Sequence, residues 1–177
     1  MAISINYRFL IRIGGWVILS TAMLCVLLLQ VLEQHAEIVP LWGQKSISTD
    51  LLTFSFAFGF VLNLIATKLT HKALLAKKVL PLHWHLKSQT LIDRLPRLLL
   101  QRAFMLGLAG TLMACLTLFL FRLVHVEQVP YQEYIVIFLL HAVSLAWAIT
   151  VISVYRALGD YSMLRKAREN KQSTSAS

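Results

Sequence analysis

Few side chains in this sequence can do chemistry, and most of those come in pairs ninety residues apart. His35-x-Glu37-x-Val39-Pro40 recurs as His125-x-Glu127-x-Val129-Pro130, and Cys25 recurs as Cys115. Two histidines and two carboxylates brought together by such a duplication would suit a divalent cation. Each copy also reads as the end of a helical segment, stopped near its proline with His and Glu in headgroup-level water. His141 is the one titratable group deep in an apolar stretch, which makes it a candidate proton carrier or hydrogen-bond relay. Its expected partners are Ser144 on its own helix and a hydroxyl such as Thr21 or Thr111.

Helical rise puts Cys25, Cys115 and His141 at about the same depth, about 18–20 Å from one edge of their spans. Cys and His suit zinc, copper or a haem iron. Met23 and Met113 lie about 200° around their helices from the cysteines and so cannot join them. Free Cys in an apolar helix is ordinarily a small hydrophobe, so no metal, haem or other cofactor is expected. His83-x-His85 has no third ligand near it in sequence. Asn63, amid apolar residues, is the costliest polar group of its stretch to bury. The sequence lacks a Walker loop, G-x-S-x-G, H-E-x-x-H, C-x-x-C and paired carboxylates. No enzyme is expected.

The elements that must position these residues are membrane spans. The 177 residues are 58% hydrophobic, with mean hydropathy +0.69. Four stretches, 13–33, 51–70, 103–123 and 134–154, match the roughly 20 residues needed to cross a bilayer. The only Asp, Glu, Lys or Arg residues within them are Glu33, Lys68 and Arg122, all in end turns. The expected fold is an all-α integral membrane protein: one four-helix domain over residues 1–168 and a disordered tail over 169–177, ENKQSTSAS. Leu10–Pro40 aligns ungapped on Leu100–Pro130, matching Leu10/Leu100, Arg12/Arg102, Thr21/Thr111, Met23/Met113 and Leu28/Leu118 besides the pairs above. The predicted layout is therefore two tandem helical hairpins, related in parallel by an axis along the membrane normal. The second spans align through Lys72-Ala73-Leu74 on Arg156-Ala157-Leu158, with six residues deleted from the second outer loop.

Of the 17 Lys and Arg residues, 15 fall at the N-terminus, in the 68–102 stretch or after span four. Basic flanks stay cytoplasmic, so both termini and the 71–102 loop are expected inside a bacterial inner membrane. The net charge of +9 then follows from topology. It also gives the basic loop a means of holding anionic headgroups. No nucleic-acid motif accompanies the charge. Within the loop, Pro81-Leu-His-Trp-His85 is an aromatic knot at headgroup level, and 91–100 reads as an interfacial amphipathic segment.

Small residues recur every fourth position as Ser55, Gly59, Asn63, Thr67 on span two and Ala103, Gly107, Thr111, Cys115 on span three, with Gly110 alongside. In lipid such stripes let helix backbones approach. Two functional classes follow. One is an accessory or interaction subunit that packs against a larger membrane partner through its small-residue stripes; a chain that pairs only with itself, as a homodimer, points to the second. The other is an oligomeric transporter of a cation or amphiphile, built around His141, Asn63 and the outer His/Glu pairs. The two-hairpin layout is similar to that of the proteobacterial antimicrobial compound efflux family, a likeness that implies an acid within the first span. Here that span holds no acidic residue before Glu33. Proton-driven export relies on intramembrane acids, so the interaction class is preferred.

Overall fold

The computed structural model describes residues 5–32, 38–43, 46–80, 95–96 and 98–159. His35, Glu37, the His83/His85 knot, half of the 91–100 segment and the tail lie outside the described residues. The elements run α1 (Ile5–Leu32), β1 (Ile38–Pro40), α2 (Ile47–Leu75), α3 (Leu99–Leu123), β2 (Gln128–Pro130) and α4 (Tyr131–Gly159). All four helices are long and apolar enough to cross a membrane. At 25 to 29 residues they run about 38–44 Å, well beyond a hydrocarbon core of roughly 30 Å.

Each helix exceeds the apolar stretch that announces it, because polar turns continue the helix past the bilayer core. Ser46 starts α2 before the apolar run, its hydroxyl accepting from Thr49 N–H at 3.4 Å. Both α2 and α3 close with a left-handed residue, Lys77 (φ 54°) and His125 (φ 56°). In α3, His125 N–H donates to Arg122 O at 3.1 Å and Val126 N–H to Phe121 O at 3.1 Å. That pattern satisfies the carbonyls the helix end would otherwise leave open.

The strands, which the sequence reading did not anticipate, pair antiparallel with Ile38 opposite Pro130, Val39 opposite Val129 and Pro40 opposite Gln128. Leu41 N–H donates to Glu127 O at 2.9 Å. By alternation, Val39 and Val129 form the hydrogen-bonded pair. Both prolines then fall where no N–H is needed, which gives a physical reason for Val-Pro at each site. The two valines are buried among Leu41, Ile47, Tyr134 and Phe138.

The two helices of each expected hairpin, α1 with α2 and α3 with α4, make little contact with each other. Helix α1 lies along α4, α3 lies along α2, and α2 and α4 meet at the centre. The flanking helices therefore sit on the second helix of the opposite half. The end carrying β1 and β2 is the strand end; the other, where α1 begins and α2 ends, is the basic end.

Candidate functional site

The polar groups of the core gather where α2 meets α3 and α4. Small residues make this possible. A Cβ on Gly59 would meet Leu106 O at 3.0 Å, one on Gly107 would meet Phe56 O at 3.0 Å, and one on Gly110 would meet Ser55 O at 2.6 Å. The α2 and α3 backbones are thus in direct contact, and the stripes are spent inside the bundle rather than on an outer surface. The buried stripe of α3 runs Ala103, Gly107, Gly110, Ala114. A helix has 3.6 residues per turn, so a strict four-residue step drifts off the interface. Thr111 is only half-buried and its hydroxyl bonds back to Gly107 O at 3.2 Å; Cys115 is exposed.

His141 sits about 15 Å along α4 and is buried. Its Nε2 lies 2.8 Å from Ser55 Oγ on α2, and its Nδ1 lies 3.3 Å from Thr117 Oγ1 on α3. The expected partners are elsewhere: Ser144 is exposed, and Thr21 bonds to Val17 O at 2.7 Å. One imidazole therefore ties three helices together.

Nearer the basic end, Asn63 and Thr67 of α2 form a second cluster with Ser153 of α4 and Arg102 of α3. Ser153 Oγ donates to Asn63 Oδ1 at 2.8 Å, Thr67 Oγ1 to the same oxygen at 3.4 Å, and Arg102 Nη2 to Thr67 Oγ1 at 3.1 Å. Arg102 is 1% exposed, and its methylene stem can pack while the head bonds inward. Asn63 Nδ2 and Thr150 Oγ1 are buried without a hydrogen-bond partner among the described residues. No family model matches the chain, and neither curated proteins nor solved structures yield a match.

Thr117, Ser153 and Arg102 were not singled out from sequence. Ser153 had a signal: Ala142, Ala146, Thr150, Ser153 and Ala157 make a small-residue stripe on α4, all of it buried. Arg102 reads only as a topology charge until a helix closes over it.

The level constellation of thiols and imidazole does not assemble. Cys25 is buried on α1 and Cys115 exposed on α3, and these two helices flank opposite sides of the central pair. Of the duplicated outer motif, His125 and Glu127 are exposed, and they line an open cleft of about 660 Å³ with Trp42 and Arg122. Among the described residues no group of three or more potential metal ligands forms. His125 is the left-handed residue that closes α3, and Glu127 O accepts from Leu41 N–H beside the strand pair.

Proposed function

We propose that the protein is a non-catalytic accessory or interaction subunit of a larger membrane system. In this reading it stands in a bacterial inner membrane with the basic end cytoplasmic. It would be built as two pseudo-equivalent halves about an axis along the membrane normal. Support for the two halves comes from the self-complementary register around Val39 and Val129. The exchanged packing of α1 on α4 and α3 on α2 supports them too, as does the equal length of α2 and α4 at 29 residues each. The six residues 41–46 that separate β1 from α2 have no counterpart between β2 and α4, as the alignment requires.

The observation that carries the functional reading is the commitment of both His141 nitrogens to bonds within the bundle. A group so engaged fixes helix rotation and is not presented to cargo. What the molecule offers outward is then its basic end and two apolar edges. Trp16, Leu19, Met23 and Leu27 form the edge on α1; Leu112, Leu116, Phe119 and Leu123 form that on α3. Native mass spectrometry after gentle extraction from the source membrane tests this. A reproducible heterologous partner is expected, and a chain found alone or only with itself overturns the reading.

The unpartnered Asn63 Nδ2 and Thr150 Oγ1 favour a second reading, an oligomeric transporter of a cation or amphiphile. A buried donor without a partner costs about 1–3 kcal/mol and is where a passing solute would find a ligand. Loss of uptake or efflux on Asn63→Leu with an intact bundle would favour it.

A further inference from the structure

The two halves differ in one cleft. Between α1 and α2, at the basic end, lies an opening of about 610 Å³ in which Arg12, Lys72 and Lys78 line the mouth, and Trp16, Val17, Ile65 and Leu69 form apolar walls. Arg12, Lys72 and Lys78 are exposed. No carboxylate lines the cleft among the described residues.

Its floor is fixed. Asn6 of α1 grips Leu80 by two bonds, Nδ2 to the carbonyl oxygen and the N–H to Oδ1, each 2.9 Å. Lys78 N–H donates to Ala73 O at 3.0 Å to close α2. Val79 is buried in one apolar cluster with Leu10 and Leu74.

The corresponding position in the other half is filled. Leu106 and Ile149, the counterparts of Trp16 and Ile65, are buried with Leu145 in one apolar cluster. Arg102 and Arg156, the counterparts of Arg12 and Lys72, are drawn inside at 1% and 7% exposure. This correspondence rests on the two-halves reading; the cleft itself does not.

We propose that the cleft binds one anionic phospholipid, its phosphate against Arg12, Lys72 and Lys78 and one acyl chain along Trp16, Val17, Ile65 and Leu69. The lining complements such a lipid at both ends: cations gather at headgroup level and an apolar wall continues into the bilayer. Trp16 stands among the groups that favour the interface. A zwitterionic lipid would bring its own cation to a mouth that already holds three.

The test uses the intact chain in phosphatidylcholine vesicles carrying a minor fraction of brominated phosphatidylglycerol. The Trp16 signal is read as the difference from Trp16→Phe. Quenching is expected to exceed that from brominated phosphatidylcholine at the same fraction, and unlabelled phosphatidylglycerol should compete it away. Lys and Arg near an anionic lipid each contribute about fivefold in affinity, so Arg12→Gln/Lys72→Gln should weaken the preference about fivefold per charge. Arg122→Gln, at the strand end, should leave it unchanged. Equal quenching by the two brominated lipids, or a preference that survives the double substitution in a chain that melts normally, overturns the proposal.

Discussion

His141 holds three helices through two nitrogens, and the direction of each bond follows from what its partners already do. The Thr117 hydroxyl donates to Met113 O at 3.0 Å, so its oxygen is left to accept from Nδ1–H. In the neutral ring, Nε2 must then accept from the Ser55 hydroxyl. This proton placement is assigned from the network, and ¹⁵N NMR of labelled histidine should report an Nδ1–H tautomer for His141. His141→Ala removes both bonds and leaves a void, an expected loss of about 2–4 kcal/mol in thermal or denaturant unfolding in detergent. Ser144→Ala, on the exposed side of the same helix, should change stability by less than about 0.5 kcal/mol. That His141 would need partners was legible in sequence because an imidazole in an apolar run is costly anywhere in the membrane. Its partners were not, since they depend on which helix lies beside α4 and how it is rotated. Ser55 stood in the small-residue stripe as packing, with nothing to mark it as a bonding partner.

At the scale of elements, the α2–α3 contact and the end of α3 decide most. Gly107→Leu must push the Phe56 carbonyl and ring, 3.0 and 3.2 Å from a bare Cβ, and should destabilise the bundle by about 3 kcal/mol. Leu108 is 45% exposed on the neighbouring face, so Leu108→Ala should move the melting midpoint little. Equal tolerance of both would refute the contact. His125 tests whether the duplicated motif is a helix end. At φ 56°, glycine is easier than any L side chain. His125→Gly should therefore hold or raise stability by about 0.5–1 kcal/mol, while the β-branched His125→Val should lower it by about 1–2 kcal/mol. The helices were legible because apolar length specifies them. The strands were not, because three residues of Ile-Val-Pro carry no periodic signal. Only their pairing with the equivalent three residues ninety positions away makes them a sheet.

For the molecule as a whole, an even number of spanning helices puts the start of α1 and the end of α4 on one side, whatever the orientation. The exchanged packing goes further. Each half supplies one central and one flanking helix, and each flanking helix rests on the other half, so neither half buries its own apolar face alone. The halves are expected to fold together, and an isolated segment ending after α2 should lack a protected α2. Orientation is then a matter of charge. Among the described residues the basic end carries Arg8, Arg12, Lys68, Lys72, Lys77, Lys78, Arg102 and Arg156, against Arg122 alone at the strand end. By the positive-inside rule this excess supports the proposed orientation, with the basic end cytoplasmic. Two exposed sites report on it: Trp42 beside β1 and Ala76 at the close of α2. In a Cys25→Ala/Cys115→Ala background, Trp42→Cys should react with a membrane-impermeant maleimide on intact spheroplasts. Ala76→Cys should react only after lysis. The reverse pattern would turn the molecule over, placing the cations of the α1–α2 cleft against the outer leaflet and the strand pair in the cytoplasm. The same labelling also separates burial from sidedness: native Cys25, packed in the core, should stay unreactive in detergent until the bundle unfolds, while Cys115, exposed on α3, should react once detergent replaces lipid.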